Sequence, residues 1–202
     1  MIMNKNTKYA LIAAGIALGV SIPITIATKK YLEKRMSTKF FVIEGNTIVG
    51  LTEYGRENLK GTLRIPHVIN GRQIFGIGPE AFKGTEIHSV IISNGIIMIQ
   101  DYAFANCKNL KNVGLPKTLV HIFPHAFDGC EALEKIILMG NLDTIESQAF
   151  ANCLNLKDVK MRAKMWEVAP DAFLNDNEIR VIKIKEVSEP KNKAFSEPKK
   201  KK

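Results

Sequence analysis

The sequence has few of the residues from which catalytic and metal sites are built. It carries four histidines and three cysteines in 202 residues. No Cys-x-x-Cys pair is present, so the spacing of a zinc site is missing. There is no glycine-rich phosphate loop and no Gly-x-Ser-x-Gly. Asp and Glu are scattered without a recurring pair, which removes the carboxylate couples of acid–base chemistry. His121 and His125 stand four apart, but Ile122-Phe123-Pro124 between them crosses from a strand to a helix start. That spacing makes a metal pair only on a continuous helix. His67 and His88 have no partner in the pattern. Cys130 and His125 form a nucleophile–base combination on paper, yet Cys130 falls in a repeating column of packed residues. No catalytic, cofactor or metal residue is expected, and the chain is not expected to be an enzyme.

Charge is also missing where a nucleic-acid partner would need it. The net charge is +9, but residues 41–182 hold 14 basic and 16 acidic residues. The excess sits in two tails: a net of +6 over residues 1–40 and +5 over 183–202. A nucleic-acid surface gathers its charge on the folded part, so none is expected to bind.

One long hydrophobic run is present. Residues 9–28, Tyr9 to Thr28, carry no charge. As a helix this run would span roughly 30 Å, the thickness of a bilayer core. Lys5 and Lys8 precede it; Lys29, Lys30, Lys34 and Arg35 follow. It reads as a membrane anchor, with the remainder extracytoplasmic at the cell surface. The alternative is a signal segment cut near Ala27, where Thr25 and Ala27 are small, giving a secreted protein. With both flanks basic, the charge rule leaves a cytosol-facing, membrane-tethered adaptor open as well. Gly15 and Gly19 have the small-xxx-small spacing that lets two membrane helices approach, which suits a homodimer.

The rest of the chain is organised by a repeat. Ala-Phe recurs at Phe82, Phe104, Phe127, Phe150 and Phe173, in steps of 22, 23, 23 and 23. A fixed period in this range marks a solenoid. Three residues before each Phe stand Pro79, Asp101, Pro124, Ser147 and Pro170, types that start helices. Two residues after it stand Gly84, Asn106, Gly129, Asn152 and Asn175, types that tolerate positive φ. Each unit is therefore expected to hold one short helix. Further on, Val90, Val113, Ile136, Val159 and Ile182 lie two residues before Ile92, Leu115, Leu138, Met161 and Ile184, the spacing of one face of a strand. Cys107, Cys130 and Cys153 each follow their Phe by three and read as buried, packed side chains. Stacked coils would also bring two of them close enough for a disulfide.

Ile99, Ala103-Phe104, Cys107, Leu110, Val113 and Leu115-Pro116 together resemble the unit of the leucine-rich repeat group typified by BspA and the Treponema leucine-rich repeat proteins. Leu51-Thr52, Ile65-Pro66 and Ile69-Asn70-Gly71 extend the resemblance, which covers roughly 48–186. Thr85 and Asp176 depart from it at the Cys position, Met139 and Arg162 at the Pro position. The resemblance implies a leucine-rich repeat solenoid, surface display, and adhesion to host or matrix proteins.

The expected plan is an anchor or signal segment over 1–36, a β-rich cap over 37–73, five leucine-rich repeats over 74–186, each with one strand and one short helix, and a disordered basic tail over 187–202. In the cap, Phe41-Val42-Ile43 and Thr47–Leu51 read as a hairpin, and Asn70-Gly71 as the tip of another. Strand residues between the inward columns should point to solvent: Ser89, Ile91, Asn112, Gly114, Lys135, Ile137, Asp158 and Lys160. Solenoids commonly bind along such a face, so these are the candidate residues for a protein partner of unspecified identity.

Overall fold

The computed structural model describes residues 39–59, 61–138, 142–162, 167–175 and 179–184. The run 9–28, with Gly15, Gly19 and Ala27, and the tail 187–202 lie outside the described residues. Among those described, no helix is long and apolar enough to cross a membrane.

The first strands among the described residues form an antiparallel hairpin, β1 (Phe41–Glu44) and β2 (Thr47–Leu51), turning at Gly45 with φ +56°. A six-residue helix follows, α1 (Glu53–Asn58). The Thr52 hydroxyl caps it by accepting from the Gly55 amide at 3.0 Å. Next come β3 (Thr62–Ile65) and the hairpin β4 (Val68–Ile69) and β5 (Arg72–Gln73). Its Asn70 and Gly71 have φ of 54° and 79°, both left-handed, as a tight hairpin matching strand twist requires.

The coils that follow carry two short strands each. One series is β6 (Gly76–Ile77), β8 (Met98–Ile99), β10 (His121–Ile122), β12 (Thr144–Ile145) and β14 (Glu167–Val168). It runs parallel and continues β1–β2 into a seven-stranded sheet. The other series is β7 (Ser89–Ile92), β9 (Asn112–Gly114), β11 (Lys135–Leu138), β13 (Asp158–Arg162) and β15 (Arg180–Ile184). This second wall is split into two sheets, β3-β7-β9 and β11-β13-β15.

The expected helix in each unit is not there: among the described residues of the repeats, none is helical. The segment around each Ala-Phe is a run of turns, for a reason visible in its amides. Within the first unit, Ala81 N–H bonds Gly78 O at 3.3 Å and Lys83 N–H bonds Glu80 O at 3.1 Å. The amides between them point to the next coil: Glu80 to Asp101 O at 3.0 Å, Phe82 to Ala103 O at 2.8 Å, Gly84 to Ala105 O at 2.8 Å. A helix would spend every amide internally and leave the stack without these bonds. The alternation is set by a left-handed residue just after the start position, at Glu80, Tyr102, His125 and Gln148, with φ of 54–55°. The expected stop residues do adopt positive φ, from 56° at Asn152 to 71° at Gly129.

The core is a set of columns. Phe82, Phe104, Phe127 and Phe150 are fully buried and stacked, with successive centroids 5.1 Å apart. Phe173 adds a half-buried fifth ring at 5.4 Å. At the front, Phe41 meets Phe82 edge-on, 6.2 Å away with planes at 88°. Ile77, Ile99, Ile122 and Ile145 form a second column, and Ile87, Leu110, Leu133 and Leu156 a third. One coil alone has no partner for these side chains, so stacking supplies the burial that holds the fold.

Candidate functional site

Strands of the split wall alternate buried and outward residues, most clearly on β7 and β11. On β7 and β11, Val90, Ile92, Ile136 and Leu138 are buried, while Ile91 and Ile137 are each 41% exposed. Register aligns the outward residues in two rows. Thr62, Ser89 and Asn112 lie side by side, as do Arg64, Ile91 and Gly114. Beyond the split, Lys135 pairs with Asp158 and Ile137 with Lys160.

The eight sequence-selected residues therefore share one face, but the structure gathers only six of them. Ser89, Ile91, Asn112, Gly114, Lys135 and Ile137 border a concavity of about 340 Å³. Its cause is local. Gly114 places no side chain between the two exposed isoleucines, and β9 does not pair with β11. Val113 is consequently half-buried, where Val90 and Ile136 in the same column are buried. Asp158 and Lys160 stand outside the concavity. Asp158 is bound by the Arg180 guanidinium, at 2.6 Å from Nη2 and 2.9 Å from Nε. The sequence reading missed four contributors: Thr62 and Arg64 on β3, and Val90 and Val113 at its floor. The signal for Arg64 is its place between the inward Leu63 and Ile65.

The turn side carries a polar network beside exposed Leu154 and Leu174. His125 stacks on Tyr102 at 4.5 Å, and its Nδ1 donates to Asp128 Oδ2 at 3.1 Å. Asp128 Oδ1 accepts from Asn152 Nδ2 at 2.7 Å, and Asn152 Oδ1 accepts from Asn175 Nδ2 at 3.0 Å. The Ser147 hydroxyl donates to Asp171 at 2.7 Å and holds that carboxyl below its ordinary value. His121 sits in another column and shares a hydrogen bond with Thr144 Oγ1 at 2.9 Å. The two histidines thus have separate partners, and among the described residues no group of three or more His, Cys, Asp or Glu is arranged to hold a metal.

The cysteines are buried thiols rather than disulfides. Each donates to the carbonyl of a Phe in the preceding coil: Cys107 to Phe82 O at 3.1 Å, Cys130 to Phe104 O at 3.2 Å, Cys153 to Phe127 O at 3.3 Å. Thr85, at the Cys position of the first unit, donates instead to the Phe82 carbonyl of its own coil, at 2.8 Å. The column therefore satisfies backbone carbonyls inside the core. The adjacent Cys107 sulfur, together with burial, pushes the Cys130 thiol well above its ordinary value.

Parallel coils of 22–23 residues, stacked on an Ala-Phe ladder and walled by short strands, define a leucine-rich repeat solenoid. The chain belongs to the BspA type leucine rich repeat region family, whose model matches residues 76–201. That match takes in Ala194-Phe195, 22 residues beyond Ala172-Phe173 and inside the stretch read above as a tail. Among solved structures, the fold is similar to a leucine rich repeat protein of T. pallidum, at 24% identity over 72% of this chain and 68% of that one, with a TM-score of 0.63. It is also similar to a leucine rich cell surface protein of Faecalibacterium prausnitzii, at 24% identity over 60% of this chain and 31% of that one, TM-score 0.55. No curated protein matches. The family consists of repeat proteins that bind rather than catalyse, and this chain is a non-enzymatic member.

Proposed function

We propose that this protein is a protein-interaction or adhesion module, displayed at a membrane surface, that engages its partner through the split strand wall. The observation carrying this reading is the concavity around Gly114. There, two large aliphatic side chains, Ile91 and Ile137, each 41% exposed, border one and the same concavity. Exposed apolar surface of this kind, rimmed by polar groups, marks interaction sites. The display part is supported by the uncharged run 9–28 and by the cell-surface description of the F. prausnitzii relative. The run 9–28 would hold the chain in the membrane, with Gly15 and Gly19 at a homodimer contact.

Two measurements test the reading. A photo-crosslinking residue at Asn112, on the strand wall, should capture a partner protein on intact cells, and one at exposed Glu80, on the turn side, should not. The reverse pattern overturns the choice of face. For display, protease added to intact cells should digest the repeats; full protection overturns the extracytoplasmic arrangement.

A further inference from the structure

The concavity has a charge character that narrows what can fill it. Arg64 and Lys135 border it, are exposed, and have no ion-pair partner among the described residues. Asp158, in register with Lys135, is already held by Arg180. No Asp or Glu lines the concavity. Its middle is apolar, made by Ile91, Val113 and Ile137 around the bare backbone of Gly114. An occupant must therefore bring carboxylates for the ends and an apolar side chain for the centre.

Spacing adds a second constraint. Arg64 and Lys135 lie on β3 and β11, with β7 and β9 between them. Adjacent strands are about 4.8 Å apart. By the repeat step Lys135 continues the Ser89–Asn112 row, while Arg64 lies in the Ile91–Gly114 row. Three strand steps with a two-residue offset of about 6.6 Å put their backbones roughly 16 Å apart on a diagonal across the wall. An extended chain rises about 3.3–3.4 Å per residue and repeats its facing every second residue. Carboxylates four residues apart span about 13 Å, the long Arg64 and Lys135 side chains cover the rest, and the residue midway between the carboxylates faces the same way. A helix of the same span would need about nine residues and would present a broader, convex surface to a narrow dent.

We propose that this concavity seats an extended acidic segment of a partner protein, of the pattern acidic-x-apolar-x-acidic, laid across the strands. The carboxylates meet Arg64 and Lys135, and the apolar side chain fills the space above Gly114. This rests on the strand-wall reading given above and specifies its partner.

The test uses the full chain in detergent and a labelled peptide, Gly-Glu-Thr-Leu-Thr-Glu-Gly, followed by fluorescence anisotropy. Saturable binding is expected that weakens as salt rises, and at least about tenfold loss of affinity in the double variant Arg64→Glu with Lys135→Glu. Both residues are exposed, so the double variant keeps the fold, checked by its melting temperature. Gly-Lys-Thr-Leu-Thr-Lys-Gly should bind the double variant and not the parent chain. Gly114→Leu should remove binding of the acidic peptide by filling the dent. Equal binding of the two peptides by the parent chain, no saturable binding of the acidic peptide, or full binding by folded Gly114→Leu each overturns the proposal. If that happens while Asn112 still crosslinks a partner, the acidic occupant alone is wrong; if Asn112 also captures nothing, the strand-wall reading falls with it.

Discussion

Phe127 and Phe150 lie with their ring planes parallel, 0° apart, and their centroids separated by 5.1 Å. That separation is close to the distance between paired strands, so one ring per coil makes a continuous ladder. Such aromatic pairs contribute about 0.5–1.5 kcal/mol each beyond the area they bury. Phe127→Ala interrupts the ladder at its centre and should cost roughly 3–5 kcal/mol. Phe173→Ala should cost less, since that ring is only half-buried. Denaturant midpoints of the two variants give the comparison, and equal losses would contradict the ladder account.

Gly84 and Gly129 occupy the same position in different coils, with φ of 68° and 71°. A Cβ at Gly84 meets nothing within 4 Å, while one at Gly129 stands 2.6 Å from Asn106 Oδ1. Gly84→Ala should therefore cost only the backbone strain, about 1 kcal/mol. Gly129→Ala should cost more, and adding Asn106→Gly should bring it back to the Gly84→Ala value. The expectation fails if the second substitution leaves the Gly129→Ala melting curve where it was.

The Cys130 thiol holds its proton more tightly in the folded chain than in the unfolded one, for which 9.0 is the ordinary value. Its contribution to stability is therefore complete below about pH 9 and falls as pH rises above that. The contact with Cys130 lowers the Cys107 thiol, which acts in the opposite sense, so Cys107 is first replaced. Melting temperatures between about pH 8 and 10.5 should drop more steeply for Cys107→Ala than for the double variant Cys107→Ala with Cys130→Ala. The same burial predicts that a thiol reagent at neutral pH modifies Cys130 only after denaturant is added; rapid labelling of the native chain would argue against the packed column.

Val90 and Ile91 are sequence neighbours on opposite faces of β7, 1% and 41% exposed. Val90→Ala should destabilise the fold by about 1–3 kcal/mol through the buried surface it removes. Ile91→Ser should stay within about 0.5 kcal/mol while weakening the proposed peptide binding. A stability loss at Ile91 as large as that at Val90 would mean the wall is turned the other way.

Much of this architecture is legible in the amino-acid pattern. The Ala-Phe period specifies the stack, the two-residue alternation specifies the outward face on β7 and β11, and Asn70-Gly71 specifies a hairpin. On the last strand, β15, the expectation fails: Val181 and Lys183 pair with Val159 and Met161, in the columns where the pattern puts Ile182 and Ile184. The turn segments are not legible, because the residues that start and stop a helix also start and stop a tight turn. What separates the two outcomes is the left-handed backbone of Glu80, Tyr102, His125 and Gln148. Of these only His125 is a type enriched in that conformation; Glu80, Tyr102 and Gln148 are not. The conformation is sustained by bonds to the neighbouring coil, which local pattern does not contain. α1 was obscured by Gly55 in its middle, a weak helix former. The concavity was half legible: its isoleucines and Gly114 stand in the repeat, whereas Arg64 belongs to the irregular lead-in, 27 residues before its register partner Ile91.

The edge-on meeting of Phe41 with Phe82 gives the array a direction. A ring lying flat offers its face to a newcomer, and any number of further coils can be laid on it. Phe41 meets Phe82 at 88° instead, so the run of parallel rings begins at Phe82. Duplication or loss of units can lengthen or shorten such a protein behind Phe82 while the stack keeps its parallel spacing.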